Sequence, residues 1–423
     1  MTFHSIRLLL AALFVSVFLG GCLGGGNTAP PPSSITVVPG DGQVTVSFVG
    51  DTNVQYWIIY APAASISTEG SSYPAGYNWK LNVTSPYVIT GLSNGTTYAF
   101  AMNGRTDNGP GGSSSASITA VPRPAGGYWT AGTALGGGAN DLKGLTYGTA
   151  SDASVNYLAV GAGSSMFKSL DGTTWTAITT GPTASFNAAQ NGLGYFLASD
   201  TTGNIYRSSD LATWTASTTG GTSINALAAS NGLAIAVGDS GKIFKSTDAI
   251  TWTAATSSGV TTAQHLYGVS YTPTGLWIAV GAAGTILTSP DGDVWTSRNA
   301  AGNDLRAVAA QQNGTTFSYV AVGLGNAAWQ SADGVTWTPV TGLVGDFYAI
   351  TASSVQFLAV GSGGAAFSST TGLTSTWAQT TTTGGGNGSV STAASVGQTL
   401  FSVVNPTFKY VAVGAVGTNI TSQ

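Results

Sequence analysis

The sequence is short of nearly every residue that carries reactive chemistry. Its 423 residues include one cysteine, two histidines and three methionines. A single thiol excludes an intramolecular disulfide, so oxidation plays no part in holding the fold together. Charged residues make up 7% of the chain, against roughly a quarter in an ordinary soluble domain. Thr, Ser, Asn, Gly and backbone must therefore cover the surface. The formal net charge of −4 leaves no basic footprint for nucleic acid. Glu69 is the only glutamate, and His265 is the only histidine after residue 4. No zinc-type ligand set can be assembled from this inventory, and Asp291-Gly292-Asp293 lacks the remaining oxygens of a calcium loop. No metal or cofactor is expected.

What is present begins with an apolar N-terminus. Arg7 precedes the run Leu8–Leu19, which is short for a membrane span. Leu19-Gly20-Gly21-Cys22 follows. This resembles the lipobox of bacterial lipoproteins, in which a peptidase cuts before the cysteine and the thiol receives lipid. The resemblance implies a signal peptide over 1–21 and lipidation at Cys22. Several acyl chains anchor stably where one does not, so the expected location is the bacterial cell envelope. Leu23 in place of Asp points to the outer membrane or cell surface. Residues 22–34 read as the lipidated Cys followed by a Gly/Pro-rich spacer, with Pro30–Pro32 stiff and extended.

Residues 35–123 alternate with a period of two. Ile35–Val38 and Val44–Phe48 flank the turn Pro39-Gly40-Asp41-Gly42, and Tyr56–Tyr60 reads as a further strand. Leu92, Gly95 and Tyr98 occupy a Leu-x-x-Gly-x-x-Tyr corner. The stretch resembles a fibronectin type III domain, with Phe48 where that family usually has a tryptophan, and implies a β-sandwich acting as a spacer. Residues 124–127 form a linker.

From 128 to 423 one phrase recurs, clearest as IAVGAAGTILTSPDGDVWT at 278–296. Trp129, Trp175, Trp214, Trp252, Trp295, Trp337 and Trp377 follow one another at 38 to 46 residues, a period that suits four-stranded propeller blades. The array opens on a last-strand phrase, Tyr128-Trp129-Thr130, and ends mid-blade at Tyr410–Gly414 and Ile420–Ser422. Joining these two ends completes a seventh blade and removes free sheet edges. The expected fold is all-β: a fibronectin type III-like sandwich followed by a seven-bladed β-propeller closed by its N- and C-terminal strands.

Before each tryptophan stands a Ser-x-Asp turn carrying Asp171, Asp210, Asp248, Asp291 or Asp333, with Thr371 at that place in the sixth repeat. The turn resembles the Asp-box of sialidase-type propellers. Aspartate in a tight turn accepts nearby backbone N–H groups, so a structural role is expected for all five. Residues able to converge lie at the start of each innermost strand. One column holds Asp141, Ser185, Ser223, His265, Asp304, Asp346 and Thr399; two residues on stand Lys143, Asn187, Asn225, Tyr267, Arg306, Tyr348 and Phe401. Alternation sends both sets towards the channel. The expected binding ring at its mouth is Asp141, Lys143, Asn187, Asn225, His265, Tyr267, Asp304, Arg306, Asp346 and Tyr348, with Arg298 nearby. Lys168, Arg207 and Lys245 share another position in consecutive repeats, as a charge-blunted strand edge, and 378–398 is a long Thr/Gly-rich connection.

The repeat as a whole resembles the photosystem II assembly-factor family of propellers, whose bacterial members are mostly non-catalytic scaffolds. That family's partner surface is rich in arginine. Here the array has only Arg207, Arg298 and Arg306, so a photosynthetic role does not carry over. Sialidase chemistry resembles a Tyr–Glu nucleophile pair with three arginines, and the array contains no glutamate. The resulting expectation is a monomeric, membrane-anchored, non-catalytic recognition or assembly scaffold with no catalytic residues, binding a protein or glycan at the channel mouth. The alternative is a glycoside hydrolase of the Asp-box propeller type using the paired aspartates Asp304 and Asp346.

Overall fold

Alternating Thr/Val and apolar-triplet patterns give strands throughout a computed structural model of the chain. It describes residues 26–66, 76–122, 129–138, 140–230, 232–256, 264–298, 300, 302–380, 397–405 and 409–422. The expected signal peptide, Cys22, the linker 124–127 and residues 381–396 of the 378–398 connection lie outside the described residues. Among those described, strands are joined only by turns, loops and short 3-10 turns, and the chain divides into two units at Pro124/Ala125.

In the first unit, Ser34–Gly40, Gln43–Val49 and Tyr87–Thr90 form one antiparallel sheet. A larger sheet runs Thr28–Ala29, Tyr98–Arg105, Gln55–Ala61, Asn78–Val83, with Ile118–Ala120 also paired to Tyr98–Arg105. Val44, Val46 and Ile89 of the smaller sheet share a core with Tyr56, Ile58, Phe100 and Met102 of the larger. The Tyr98 hydroxyl accepts the Ser93 N–H at 3.1 Å, and Phe48 meets Tyr56 edge-on at 5.3 Å.

One boundary differs from the sequence expectation. The spacer does not reach residue 34, because Thr28 pairs with Arg105 and Ala29 with Gly104. The strand Tyr98–Arg105 would otherwise leave part of its edge unpaired, and Ala29 is small enough to bury there. Pro30–Pro32 therefore run inside the unit. A side chain at Gly104 would come within 2.5 Å of the Pro30 carbonyl.

Among the described residues the second unit holds seven four-stranded antiparallel sheets. Sheets 1 to 6 span residues 142–177, 186–218, 224–254, 266–297, 305–339 and 347–379. Sheet 7 takes Leu400–Val404, Tyr410–Gly414 and Asn419–Ser422 from the C-terminal end and Trp129–Ala131 from the start. Ser422 pairs with Trp129, Thr421 with Thr130 and Ile420 with Ala131. The second strands, such as Trp277–Gly281, are buried on both faces, which is why they read as unbroken apolar runs.

The cores lie between sheets rather than within them. Leu158 and Val160 of sheet 1 pack with Phe186 and Phe196 of sheet 2. Leu358 and Val360 of sheet 6 pack with Leu400, Tyr410 and Trp129 of sheet 7. Val411 and Val413 of sheet 7 then pack with Leu142 and Tyr157 of sheet 1. Last and first sheets thus share apolar area as neighbours do, and the repeat tryptophans fill these seams.

Candidate ligand channel

Each innermost strand starts with a register shift: Leu142/Gly144, Phe186/Ala188, Ile224/Ala226, Leu266/Gly268, Leu305/Ala307, Phe347/Ala349 and Leu400/Ser402. The residue left out of the pairing is in turn Lys143, Asn187, Asn225, Tyr267, Arg306, Tyr348 and Phe401. A bulge kinks a strand and re-aims its extra side chain. All seven of these side chains line one channel of about 240 Å³. No carboxylate is among the lining residues, whereas Lys143 and Arg306 are.

Half of the ring is tied together. The Asn187 amide donates to Ser223 Oγ at 3.0 Å, and Ser223 Oγ donates to Asn225 Oδ1 at 3.0 Å. Asn225 Nδ2 donates to Asp239 Oδ1 at 2.8 Å and to the Leu266 carbonyl at 3.0 Å. The same Asp239 oxygen lies 2.8 Å from His265 Nδ1. His265 stacks on Tyr267, with centroids 6.2 Å apart and planes 13° apart. Arg306 sits 3.9 Å over the Tyr267 ring and pairs with Asp304 Oδ2 at 3.1 Å. Burial raises the Tyr267 phenol above its usual range, and the nearby Asp304 charge adds to the rise. On the following two sheets Tyr348 meets Phe401 edge-on at 5.2 Å. The channel thus combines amides, stacked aromatics and two cations on a largely preassembled frame.

The first column behaves differently from its expected place in the ring. Asp141, His265, Asp304 and Asp346 are not among the channel-lining residues. Asp141 Oδ1 accepts the Val416 N–H at 3.2 Å, Asp304 Oδ1 that of Ala283 at 3.1 Å, and Asp346 Oδ1 that of Gly325 at 2.7 Å. Each donor sits in a turn of the preceding sheet, at φ of +54°, +52° and +62° respectively. Asp304 and Asp346 therefore serve as ties between sheets. Arg298 is not among the lining residues either. Its N–H continues the pairing to Ile286 O at 2.7 Å and its Nε donates to Thr288 Oγ1 at 3.2 Å, within its own sheet.

The Ser-x-Asp turns are hydrogen-bonded units. Asp210 Oδ1 accepts the N–H groups of Ala212 and Thr213, each at 2.8 Å, and the Ser208 hydroxyl at 2.9 Å. Asp248 does the same with Ile250, Thr251 and Ser246. The backbone N–H groups of Thr213 and Ala212 hold the Asp210 carboxyl down to about 2, and those of Thr251 and Ile250 do so for Asp248, also to about 2. Asp291 and Asp333 are lowered for the same reason. At Asp171 partial burial pushes upward, but bonds from Thr174, Thr173 and Ser169 outweigh it and the carboxyl is depressed. In the sixth sheet Thr371 Oγ1 accepts only the Leu373 N–H, at 3.2 Å, so that turn keeps a weaker version of the same bonding. In the Lys168/Arg207/Lys245 row two of the three side chains are engaged. Lys245 pairs with Asp293 at 2.9 Å, and Arg207 lies 5.2 Å over the Tyr195 ring.

Asp239 escaped sequence reasoning because it lies in the turn after the second strand, not in either column. A signal was available: the equivalent turn residues Ala282, Leu324, Ser362 and Ala415 carry no charge.

Solved structures similar to this chain include YCF48 from Cyanidioschyzon merolae, at 17% identity and TM-score 0.52, covering 70% of this chain and 98% of that one. Another is YCF48 bound to D1 peptide, at 16% identity and TM-score 0.53, covering 70% and 96%. The WD40 β-propeller domain of Doa1 follows at 11% identity and TM-score 0.50, covering 70% and 97%. No protein-family model matches the chain, and no curated protein matches it. At these identities the likeness is one of fold, and the fold is a β-propeller.

Proposed function

We propose that the chain is a membrane-anchored, non-catalytic recognition or assembly scaffold that binds a protein segment at the mouth of its propeller channel. In this reading the seven sheets are the blades of a ring closed by Trp129–Ala131 beside Asn419–Ser422, and the first unit is a fibronectin type III-like spacer. Cys22 carries the lipid that holds the protein in the bacterial cell envelope, at the outer membrane or cell surface. The carrying observation is the convergence of seven bulge side chains on one channel, with the Asp239–His265–Tyr267–Arg306 arrangement at its rim. Large aromatics and arginine held on rigid strands are the usual anchors of protein recognition. The peptide-bound neighbour adds that a propeller of this fold can present a peptide site.

The paired-aspartate hydrolase gains no support, since Asp304 and Asp346 each hold a backbone N–H of the preceding sheet. The test is affinity capture from envelope extracts and a glycan array, each run with wild type and with Tyr267→Ala/Arg306→Ala. Capture of one protein, lost in the double variant, is expected. Glycan binding lost in that variant would replace the protein partner with a sugar. Capture unaffected by the variant would remove the channel from the function.

A further inference from the structure

The first unit exposes apolar side chains on the side of its larger sheet that faces away from the shared core. Tyr56, Ile58 and Tyr60 point into that core, so Trp57 and Ile59 point away from it. Trp79 stands directly opposite Ile59 and shares its side, and Leu81 follows it at the register shift that returns Val83 to the core. Ile66 packs on Ile59, Ala99 and Ala101 and closes part of that side. Trp79 and Leu81 remain 50% and 55% exposed on the edge strand Asn78–Val83.

Arg105 lies beside them. Its guanidinium sits 4.5 Å over the Trp57 ring, and Nη2 donates to Asn82 Oδ1 at 3.2 Å and Asn108 Oδ1 at 3.4 Å. Both acceptors are neutral, and among the described residues no carboxylate pairs with Arg105. Indole, leucine and a guanidinium on one side of the sheet match the polarity of a bilayer surface. There aromatic rings settle at head-group level and cations meet lipid phosphate.

The course of the chain selects the occupant. Thr28 pairs with Arg105 on the opposite edge of the same sheet, three strands from Asn78–Val83, and Cys22 precedes Thr28 by six residues. At roughly 3.3–3.6 Å per extended residue, that stretch reaches about 20 Å. Pro30–Pro32 come after the first strand and add nothing to the tether. We infer that the outward side of the larger sheet, carrying Trp79, Leu81 and Arg105, docks on the lipid surface to which Cys22 is tethered. The inference rests on the lipid-anchor reading above, and it makes the first unit a membrane-seated base rather than a spacer standing clear of the bilayer.

The lone cysteine makes a direct test possible. With Cys22 lipidated, Leu81→Cys supplies a single free thiol for a fluorophore. Val88→Cys supplies the reference, since Val88 lies on the smaller sheet and is 47% exposed. Each labelled full-length lipoprotein is placed in phosphatidylethanolamine/phosphatidylglycerol vesicles with and without brominated acyl chains. Quenching several-fold stronger at 81 than at 88 is expected, with a clear loss at 81 on adding Trp79→Ala or Arg105→Gln. Any other pattern in protein that floats with the vesicles overturns the docking and leaves the anchor standing. This covers equal quenching, none at either position, or more at 88. Protein that does not float overturns the anchor and the docking together.

Discussion

The Asp346 carboxylate accepts the Gly325 backbone N–H at 2.7 Å, reaching from the start of one inner strand to a left-handed turn of the preceding sheet. Asp304 and Asp141 make the same reach to Ala283 and Val416. The bond is solvent-exposed and water can take the freed donor, so Asp346→Ala should cost about 0.5–1.5 kcal/mol. Asp346→Asn, which keeps an oxygen, should cost less. Urea unfolding measures both, and wild-type stability in the alanine variant would show that the tie contributes nothing.

Acid should weaken the propeller through its Ser-x-Asp turns. Asp210 and Asp248 are held at about 2 when folded, below the ordinary carboxylate value of about 3.9. A depressed folded pKa adds stability that is complete above the unfolded value and fades as pH falls through the folded one. Thermal midpoints should therefore drop between about pH 4 and 2. Asp210→Asn should melt lower at neutral pH and show a shallower acid slope. An unchanged slope would assign the acid response to other carboxylates.

Val416 occupies a turn at φ +54° and is 44% exposed. A β-branched residue there is strained by roughly 1–2 kcal/mol, partly offset when glycine replaces it by the greater freedom of the unfolded chain. Val416→Gly should stabilise by about 0.5–1 kcal/mol. The gain should appear in the denaturant midpoint with an unchanged slope.

Trp129 is 3% exposed, and its indole donates to Thr380 Oγ1 at 3.2 Å in the stretch following sheet 6. Trp129→Ala removes the anchor of the only strand that sheet 7 takes from the N-terminal side, at a cost of about 3–5 kcal/mol. Hydrogen exchange should show Asn419–Ser422 losing protection before the strands of sheets 2 to 5. Uniform loss would mean that the closure opens no earlier than the rest.

Asp239 reaches Asn225 and His265 with one oxygen, so Asp239→Ala should loosen the Tyr267/Arg306 rim without altering either lining residue. Weaker capture of the partner, with a melting midpoint close to wild type, is the expected result. Full capture would show that the rim holds its shape without the carboxylate.

The repeat period, the strand order of each sheet and the shared seventh sheet were legible in the sequence. They depend on local alternation, turn residues and where each phrase is cut, all of which run along the chain. The lining column Lys143 to Phe401 was legible for the same reason, although its physical cause is a bulge in every inner strand and not simple alternation. The backbone bonds of Asp141, Asp304 and Asp346 were not legible, because each carboxylate's partner is an N–H more than 20 residues away or, for Asp141, near the other end of the chain. Residue type alone does not record that pairing.

By itself, then, the sequence determined a periodic all-β chain whose two ends belong in one sheet, because each repeat has an apolar face that only a neighbouring repeat can bury. Tertiary structure alone decided which carboxylates tie sheet to sheet. It also decided that the first strand begins at Thr28, ahead of the prolines. Those outcomes depend on distances between segments far apart in the chain, and such distances exist only once the sheets have closed on one another.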